Sequence, residues 1–124
     1  MGLDMYLTGD RYFMEIRKRG EVKAERYELG YWRKHPNLHG FIVETFADGV
    51  DECQLIELGT DDLKKIIHAV KNRELPETTG FFFGVSDDSD EQIAEDVTIL
   101  EDAIKWLEAD DPDAWRSIYY QASW

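Results

Sequence analysis

The clearest periodic pattern in the chain lies in residues 86–113, where apolar side chains recur every three or four positions. The apolar positions are Ile93, Val97, Leu100, Ile104 and Leu107. This spacing predicts a helix with one buried face. The opposite face is acidic, with Lys105 as its single cation. Its carboxylates are Asp87, Asp88, Asp90, Glu91, Glu95, Asp96, Glu101, Asp102, Glu108, Asp110, Asp111 and Asp113. The pattern therefore predicts a long amphipathic helix with a strongly negative surface.

Alternating apolar and polar residues, the period of a half-buried strand, occur in several shorter segments. The first covers residues 3–7, and a turn predicted at residues 8–10 separates it from a second at residues 12–16. Further strands are predicted at residues 22–29, 52–58 and 115–124. Three consecutive phenylalanines at residues 81–83, between glycines, are typical of a strand buried on both faces or of a close helix–strand contact.

Two shorter helices are predicted between the strands. Pro36 suits a first helical turn, apolar residues follow at helical spacing, and Gly49 is a natural left-handed stop. A second helix is predicted at residues 61–71 with Thr60 as its cap, and its acidic start and basic end suit the helix dipole. Together the elements predict an α+β fold in a single globular domain over residues 1–124. We expect an antiparallel sheet of about four to six strands, with about three helices packed mainly on one face.

The charge of the chain is strongly negative and unevenly distributed. The formal net charge is −13 at pH 7, to which residues 1–40 contribute +2 and residues 41–124 contribute −15. We expect no direct binding to nucleic acid, because that binding depends on clustered Lys and Arg. The expected partner is a basic surface of another protein. The single cysteine, Cys53, excludes an intramolecular disulfide, and we see no secretory signal or membrane span, so we expect a cytoplasmic protein.

Motifs for common chemistry are missing from the sequence. It contains neither GxxxxGK[ST] nor GxGxxG, and neither HExxH nor GxSxG. A segment of the acidic region resembles a calcium loop, but Ile93 and Ile99 occupy the positions that need glycine and glutamate. His35 and His39 lie one helical turn apart without an assigned third metal ligand, and we expect both to be half exposed beneath Trp32. We therefore expect no catalytic residues, no cofactor, no metal and no enzymatic activity.

Four stretches, spread in order over the chain, resemble a family of small uncharacterised proteins of phages and prophages. They are MGLDMYL at residues 1–7, GYWRK at 30–34 with His39 and Phe41 after it, LP and TGFFFG within 75–84, and YYQASW at 119–124. Some members carry an automatic label of phosphoglycerate kinase, which a chain of 124 residues without a nucleotide loop does not support. The resemblance implies a phage origin, and hence the cytoplasm of an infected or lysogenic bacterial host.

The main hypothesis is a small acidic phage accessory protein that acts by binding another protein. Carboxylates in place of phosphates make it a mimic of nucleic acid that inhibits a host defence enzyme or another DNA- or RNA-binding enzyme. The residues expected to contact Arg and Lys of the target are Asp87, Asp88, Glu91, Glu95, Asp96, Glu101 and Asp102. A solvated face that keeps the protein soluble is the simpler interpretation of the same residues.

Two alternative hypotheses use other surfaces. One is a small-ligand-binding domain, whose aromatic and cationic pocket suits an anionic or planar ligand. The residues of this pocket are Trp32, Arg33, Lys34, His39, Gln121 and Trp124. The other is a structural, dimerising accessory protein with an exposed apolar patch, for which the candidates are Trp115, Tyr119 and Phe82. The first two hypotheses do not specify an oligomeric state.

Overall fold

The computed structural model of the protein describes residues 2–15, 18–80 and 83–124. In chain order the elements are β1 (Asp4–Phe13), β2 (Ala24–Arg33), α1 (Pro36–Phe46), β3 (Ile56–Leu58), α2 (Thr60–Lys71), α3 (Asp90–Glu108) and β4 (Ala114–Ser123). The four strands form one antiparallel sheet. The fold class is therefore α+β, as the sequence predicts.

Strands β1 and β4 form the centre of the sheet, whose order is β2-β1-β4-β3. The two strands pair along their whole length, from Asp4 opposite Ser123 to Phe13 opposite Ala114. Strand β2 lies on the outer side of β1 and forms a hairpin with it, and the short β3 lies on the outer side of β4. Segments that are far apart in the sequence are thus joined at the middle of the sheet.

The helices cover one face of the sheet and leave the other face open. The buried side chains of the covered face are Met5, Leu7, Trp32, Ile56, Leu58, Ile118, Tyr120 and Ala122. They belong to one hydrophobic cluster with the buried side chains of the helices, which include Leu38, Ile42, Leu63, Ile66, Leu100 and Ala103. On the open face, Tyr6, Tyr31 and Trp115 are each at least 36% exposed. The alternation along the strands therefore separates a core face from a solvent face.

Strand β1 runs through the segment where the sequence predicts a turn. Gly9 lies in the middle of the strand, opposite Tyr27 and Ile118. A Cβ added at Gly9 would lie 2.6 Å from the indole Cη2 of Trp106 on α3. The predicted turn at residues 8–10 is therefore wrong, because this glycine makes room for a helix side chain. Of the strand predicted at residues 12–16, Tyr12 and Phe13 form the end of β1, Met14 and Glu15 lie beyond it, and Ile16 lies outside the described residues.

The helices follow their predicted positions closely. Helix α1 begins at Pro36, and Gly49 beyond its end has a φ of 79°. Helix α2 begins at Thr60, with Gly59 rather than Thr60 as its cap. Helix α3 begins after Ser89, whose Oγ accepts the backbone N–H of Gln92 at 3.2 Å. Among the described residues, no helix combines the length and the apolar character that crossing a bilayer requires.

The remaining strand predictions differ in their bounds. The strand predicted at residues 22–29 is β2, which runs on to Arg33, and the strand predicted at residues 52–58 is limited to the three residues of β3. The last predicted strand matches β4 within one residue at each end. In the phenylalanine segment, Phe83 is buried in a turn, whereas Phe81 and Phe82 lie outside the described residues.

Candidate functional site

Exposed carboxylates on α3 and on the segment before it form what we call the acidic surface. Its members are Asp87, Asp88, Glu91, Glu95, Glu101 and Asp102. Two ion pairs reach this region among the described residues: Lys71 lies 3.7 Å from Glu101, and Arg73 lies 2.6 Å from the neighbouring Asp90. Within the described part of the chain, the carboxylate oxygens of the other members have no Lys, Arg or His nitrogen within 4.0 Å, although Arg73 donates to the backbone carbonyl of Asp88 at 2.7 Å. Most of the negative charge of this surface is therefore uncompensated.

Asp96 is predicted to belong to this surface, but its side chain is buried and the residue is 1% exposed. The indole Nε1 of Trp32 and the amide Nε2 of Gln92 donate to its Oδ1, each at 2.8 Å. His35 Nε2 lies 2.8 Å from its Oδ2. Asp96 follows Ile93 by three positions, so it lies on the buried stripe of α3. Its prediction as a partner-binding residue is therefore wrong, and these hydrogen bonds satisfy the buried carboxylate.

His35 connects Asp96 to the loop before α3. The imidazole Nδ1 lies 2.8 Å from the Oγ of Ser86, which also accepts the backbone N–H of Asn37 at 3.0 Å. A carboxylate can only accept hydrogen bonds, so we assign the imidazole hydrogen to Nε2, facing Asp96. The other nitrogen, Nδ1, then accepts the Ser86 hydroxyl. The three side chains form a continuous hydrogen-bond chain from Ser86 through His35 to Asp96, which we call the Ser86 chain.

A cavity of about 120 Å³ lies against the Ser86 chain, and all three members of the chain line it. Apolar side chains form part of its wall, and Asn37, Arg73 and the acidic residues Asp87 and Asp88 add polar groups to it. A second, more open cleft of about 440 Å³ is also lined by Ser86 and Asn37. The half-buried Ser86 therefore stands on the wall that the two cavities share.

His39 is the second buried histidine and is 2% exposed. Its Nδ1 lies 2.6 Å from the hydroxyl of Tyr120, and its Nε2 lies 3.0 Å from the carboxylate of Asp51. Burial raises the pKa of Tyr120 well above its ordinary value, so the phenol stays protonated and its O–H donates a hydrogen bond to Nδ1. The rings of Phe83 and Trp124 pack around the imidazole, with centroids 5.3 and 5.8 Å away.

The expectation that both histidines are half exposed is wrong. His35 is 6% exposed and His39 is 2% exposed. Both ring nitrogens of each imidazole lie within hydrogen-bond distance of another side chain, so burial leaves no ring nitrogen unsatisfied. Sequence spacing places the two histidines about one helical turn apart, but it carries no information about the side chains that bury them and form hydrogen bonds with them.

The structure divides three neighbouring residues of the predicted ligand pocket between the two faces of the sheet. Trp32 is 4% exposed and lies on the covered face, where it donates to Asp96. Arg33, the next residue, lies 3.8 Å from Asp4 on the open face. Lys34 has a positive φ of 54°, which marks the sharp bend between β2 and α1. Because side chains alternate along a strand, the indole of Trp32 and the guanidinium of Arg33 lie on opposite faces of the sheet.

The other three residues of the predicted pocket are likewise divided. His39 and Trp124 are in ring contact, so the structure does bring this pair together. Gln121 lies on the open face and donates its Nε2 hydrogen to the backbone carbonyl of Cys53 at 2.8 Å. The six residues are thus spread over both faces of the sheet.

Two of the three candidates for a dimerising patch, Trp115 and Tyr119, lie on the open face. Trp115 is 52% exposed and stacks against Tyr12, with ring centroids 5.8 Å apart. Tyr119 is half-buried on the same face, while Phe82 lies outside the described residues.

The fold and these sites define an acidic α+β protein with one open sheet face and a polar cavity beside the start of α3. Among the described residues, no group of three or more His, Cys, Asp or Glu side chains is arranged to hold a metal ion. Comparison of the chain with protein-family models, with curated proteins and with solved structures finds no match.

Proposed function

We propose that the protein binds a basic surface of another protein through its acidic surface, and that it does so as a mimic of nucleic acid. The observation that carries this proposal is the uncompensated charge of the exposed carboxylates on and before α3. Such a surface attracts clustered Lys and Arg at long range and raises the rate of association.

The dimensions of α3 are consistent with this role. The helix has 19 residues, so its length is about 28 Å, which is close to the rise of about eight base pairs of duplex DNA. Exposed carboxylates occur from its first turn to Glu108 in its last turn. Acidic residues at a helix C-terminus oppose the helix dipole, so Glu108 does not serve helix stability.

The resemblance to phage and prophage proteins suggests which basic proteins are relevant. As part of the proposal, the protein acts in the cytoplasm of a bacterial host, where nucleic-acid-binding and defence enzymes carry basic channels. The phage origin is part of the proposal, and it directs the search for a partner to the lysate of a bacterial host.

The test compares two variants that change the net charge equally. The acidic-surface variant carries Glu91→Gln, Glu95→Gln and Asp102→Asn. The matched control carries Glu44→Gln, Glu52→Gln and Glu77→Gln, which are exposed and lie outside α3. Each variant and the wild type are immobilised and incubated with bacterial lysate at 50 mM and at 300 mM NaCl. Retained proteins are identified by mass spectrometry and then tested for displacement by duplex DNA.

We expect the wild type and the matched control to retain a nucleic-acid-binding protein at low salt, and the acidic-surface variant to lose it. Salt should release the partner, because screening weakens contacts between several exposed charges. Duplex DNA should compete for the same protein. Equal retention by the acidic-surface variant, or no retained partner at either salt concentration, would overturn the proposal.

A further inference from the structure

Two hydrogen-bond chains in this protein have the same chemical order, hydroxyl to imidazole to carboxylate. One runs from Tyr120 through His39 to Asp51, and the other is the Ser86 chain. They differ in access, because Tyr120 is 1% exposed, whereas Ser86 is half-buried and lines both cavities. The Ser86 chain is therefore the one whose hydroxyl a small molecule can reach.

We infer that Ser86 is a nucleophile, that His35 is its general base, and that this site hydrolyses small acyl esters. The inferred chemistry does not use the acidic surface, although Asp87 and Asp88 of that surface also line the cavity. An alcohol becomes a nucleophile when an adjacent base takes its proton and a third group orients that base. Ser86, His35 and Asp96 meet this requirement with two hydrogen-bond distances of 2.8 Å. Asp96 is a positioning residue, because it touches the imidazole and not the reacting atoms.

The reaction is a two-step acyl transfer. Ser86 Oγ bonds to the acyl carbon as its proton passes to His35 Nδ1, and the carbon–oxygen bond of the ester breaks as Nδ1 protonates the leaving alcohol. Water then attacks the acyl-serine, gives a proton to Nδ1 and forms the carboxylic acid, and Ser86 Oγ recovers its proton from Nδ1. The products are one alcohol and one acid, so a single water is consumed.

The walls of the cavity indicate the class of substrate. Its volume of about 120 Å³ leaves room for several waters, which suits a short acyl group. Val70, Leu75 and Ile93 provide apolar contact for such a group. Asn37 also lines the cavity, and its Oδ1 accepts the backbone N–H of Thr78 at 2.9 Å. We assign the Asn37 Nδ2 hydrogens, which the Thr78 contact does not use, as the donors for the negative oxygen that forms during attack.

The separation of the three residues explains why sequence motifs give no sign of this site. His35 lies 51 positions before Ser86 and 61 positions before Asp96. The loop around Ser86 also lacks the GxSxG pattern. The three side chains meet where the residue before α1, the loop before α3 and the second turn of α3 come together.

The experiment uses the folded wild-type chain and a fluorophosphonate, which reacts with activated serine hydroxyls. Intact-mass measurement counts the adducts, and peptide mapping locates them. Ser86→Ala removes the proposed nucleophile, and Ser123→Ala, at an exposed serine at the end of β4, is the matched control. Hydrolysis of p-nitrophenyl acetate is measured in parallel for the wild type, both serine variants and His35→Gln.

We expect a single adduct on Ser86 in the wild type and in Ser123→Ala. Ser86→Ala should lose the adduct and the ester hydrolysis, and His35→Gln should slow both by about 10²-fold or more, because a general base contributes that factor. Labelling of the wild type does not depend on whether any variant folds. A folded wild type without an adduct on Ser86, or undiminished ester hydrolysis by Ser86→Ala, would overturn the inference.

Discussion

The buried carboxylate of Asp96 joins three parts of the fold. It accepts hydrogen bonds from Trp32 at the end of β2, from His35 before α1, and from Gln92 one turn earlier in α3. A buried hydrogen-bond donor that loses its acceptor costs about 1–3 kcal/mol of stability. The Asp96 carboxylate therefore avoids this cost for the three donors that it accepts from. Its position on the apolar stripe of α3, three residues after Ile93, is the one sign of this role in the sequence.

We predict that Asp96→Asn lowers the free energy of unfolding by about 1–3 kcal/mol, because an amide NH₂ then faces a donor that the carboxylate satisfied. Urea denaturation followed by circular dichroism measures the effect. The matched control is Glu95→Gln, the same chemical change at the exposed neighbouring position, with an expected change within about 0.5 kcal/mol. Equal effects of the two substitutions would contradict the prediction.

Helix α3 approaches the sheet closely because two glycines lie beneath it. Gly9 of β1 faces Trp106, and a Cβ added at Gly30 of β2 would lie 2.5 Å from the Cγ2 of Ile99. Without side chains at these two positions, side chains of the helix pack directly on the strand backbone. The guanidinium of Arg116 also lies over the face of the Trp106 indole, 4.8 Å from the ring centroid.

We predict that Gly9→Ala lowers the free energy of unfolding by about 1–3 kcal/mol, because the added methyl group overpacks the contact with Trp106. The matched control is Gly59→Ala, where the nearest atom to an added Cβ is 3.7 Å away, and the expected cost there is below about 1 kcal/mol. Urea denaturation of both variants gives the comparison. A Gly9→Ala variant as stable as the wild type would show that α3 shifts at no cost.

The elements differ in how far the sequence predicts them. The helices follow from the 3.6-residue period and from Pro36 and Gly49 at the boundaries of α1. The strands are less predictable, because Gly9 is typical of a turn and the sequence does not show that its role is to make room for Trp106. The Ser86 chain is not predictable from spacing, since its contacts depend on tertiary packing between distant segments.

Charge is distributed over the molecule as an uncompensated acidic surface and a compact group of ion pairs. Asp111, after α3, accepts from Arg11 of β1 at 2.6 Å and from Arg116 of β4 at 2.8 Å. Arg11 also donates to Glu25 of β2 at 2.8 Å. The hydrogen bonds from Arg11 and then Arg116 hold the pKa of Asp111 well below its ordinary value of 3.8. This group therefore links three strands while the carboxylate is ionised.

We predict that the melting temperature of Asp111→Asn falls less than that of the wild type when the pH is lowered from 7 to 2. Because folding lowers the pKa of Asp111, its contribution is complete above the ordinary pKa of 3.8 and is lost as the pH falls through the folded value. The variant should be less stable than the wild type at pH 7, and the difference should shrink toward pH 2. Melting temperatures across this range measure it, with Asp110→Asn, exposed and adjacent, as the matched control.

A result that contradicts this prediction is a constant difference in melting temperature at every pH. That outcome would mean that ionisation of Asp111 is not coupled to folding, whatever the variant does to stability at pH 7.

The pairing of β1 with β4 at the centre of the sheet has a consequence for biosynthesis. Thr8 and Tyr119, which are joined by a hydrogen bond, are 111 positions apart, so the sheet has a high contact order and we expect slow folding. At translation rates of about 5–20 residues per second, the edge of β1 that pairs with β4 waits about 5–20 s for β4 to be synthesised. During that interval the nascent chain depends on chaperones or on its own negative charge to avoid aggregation.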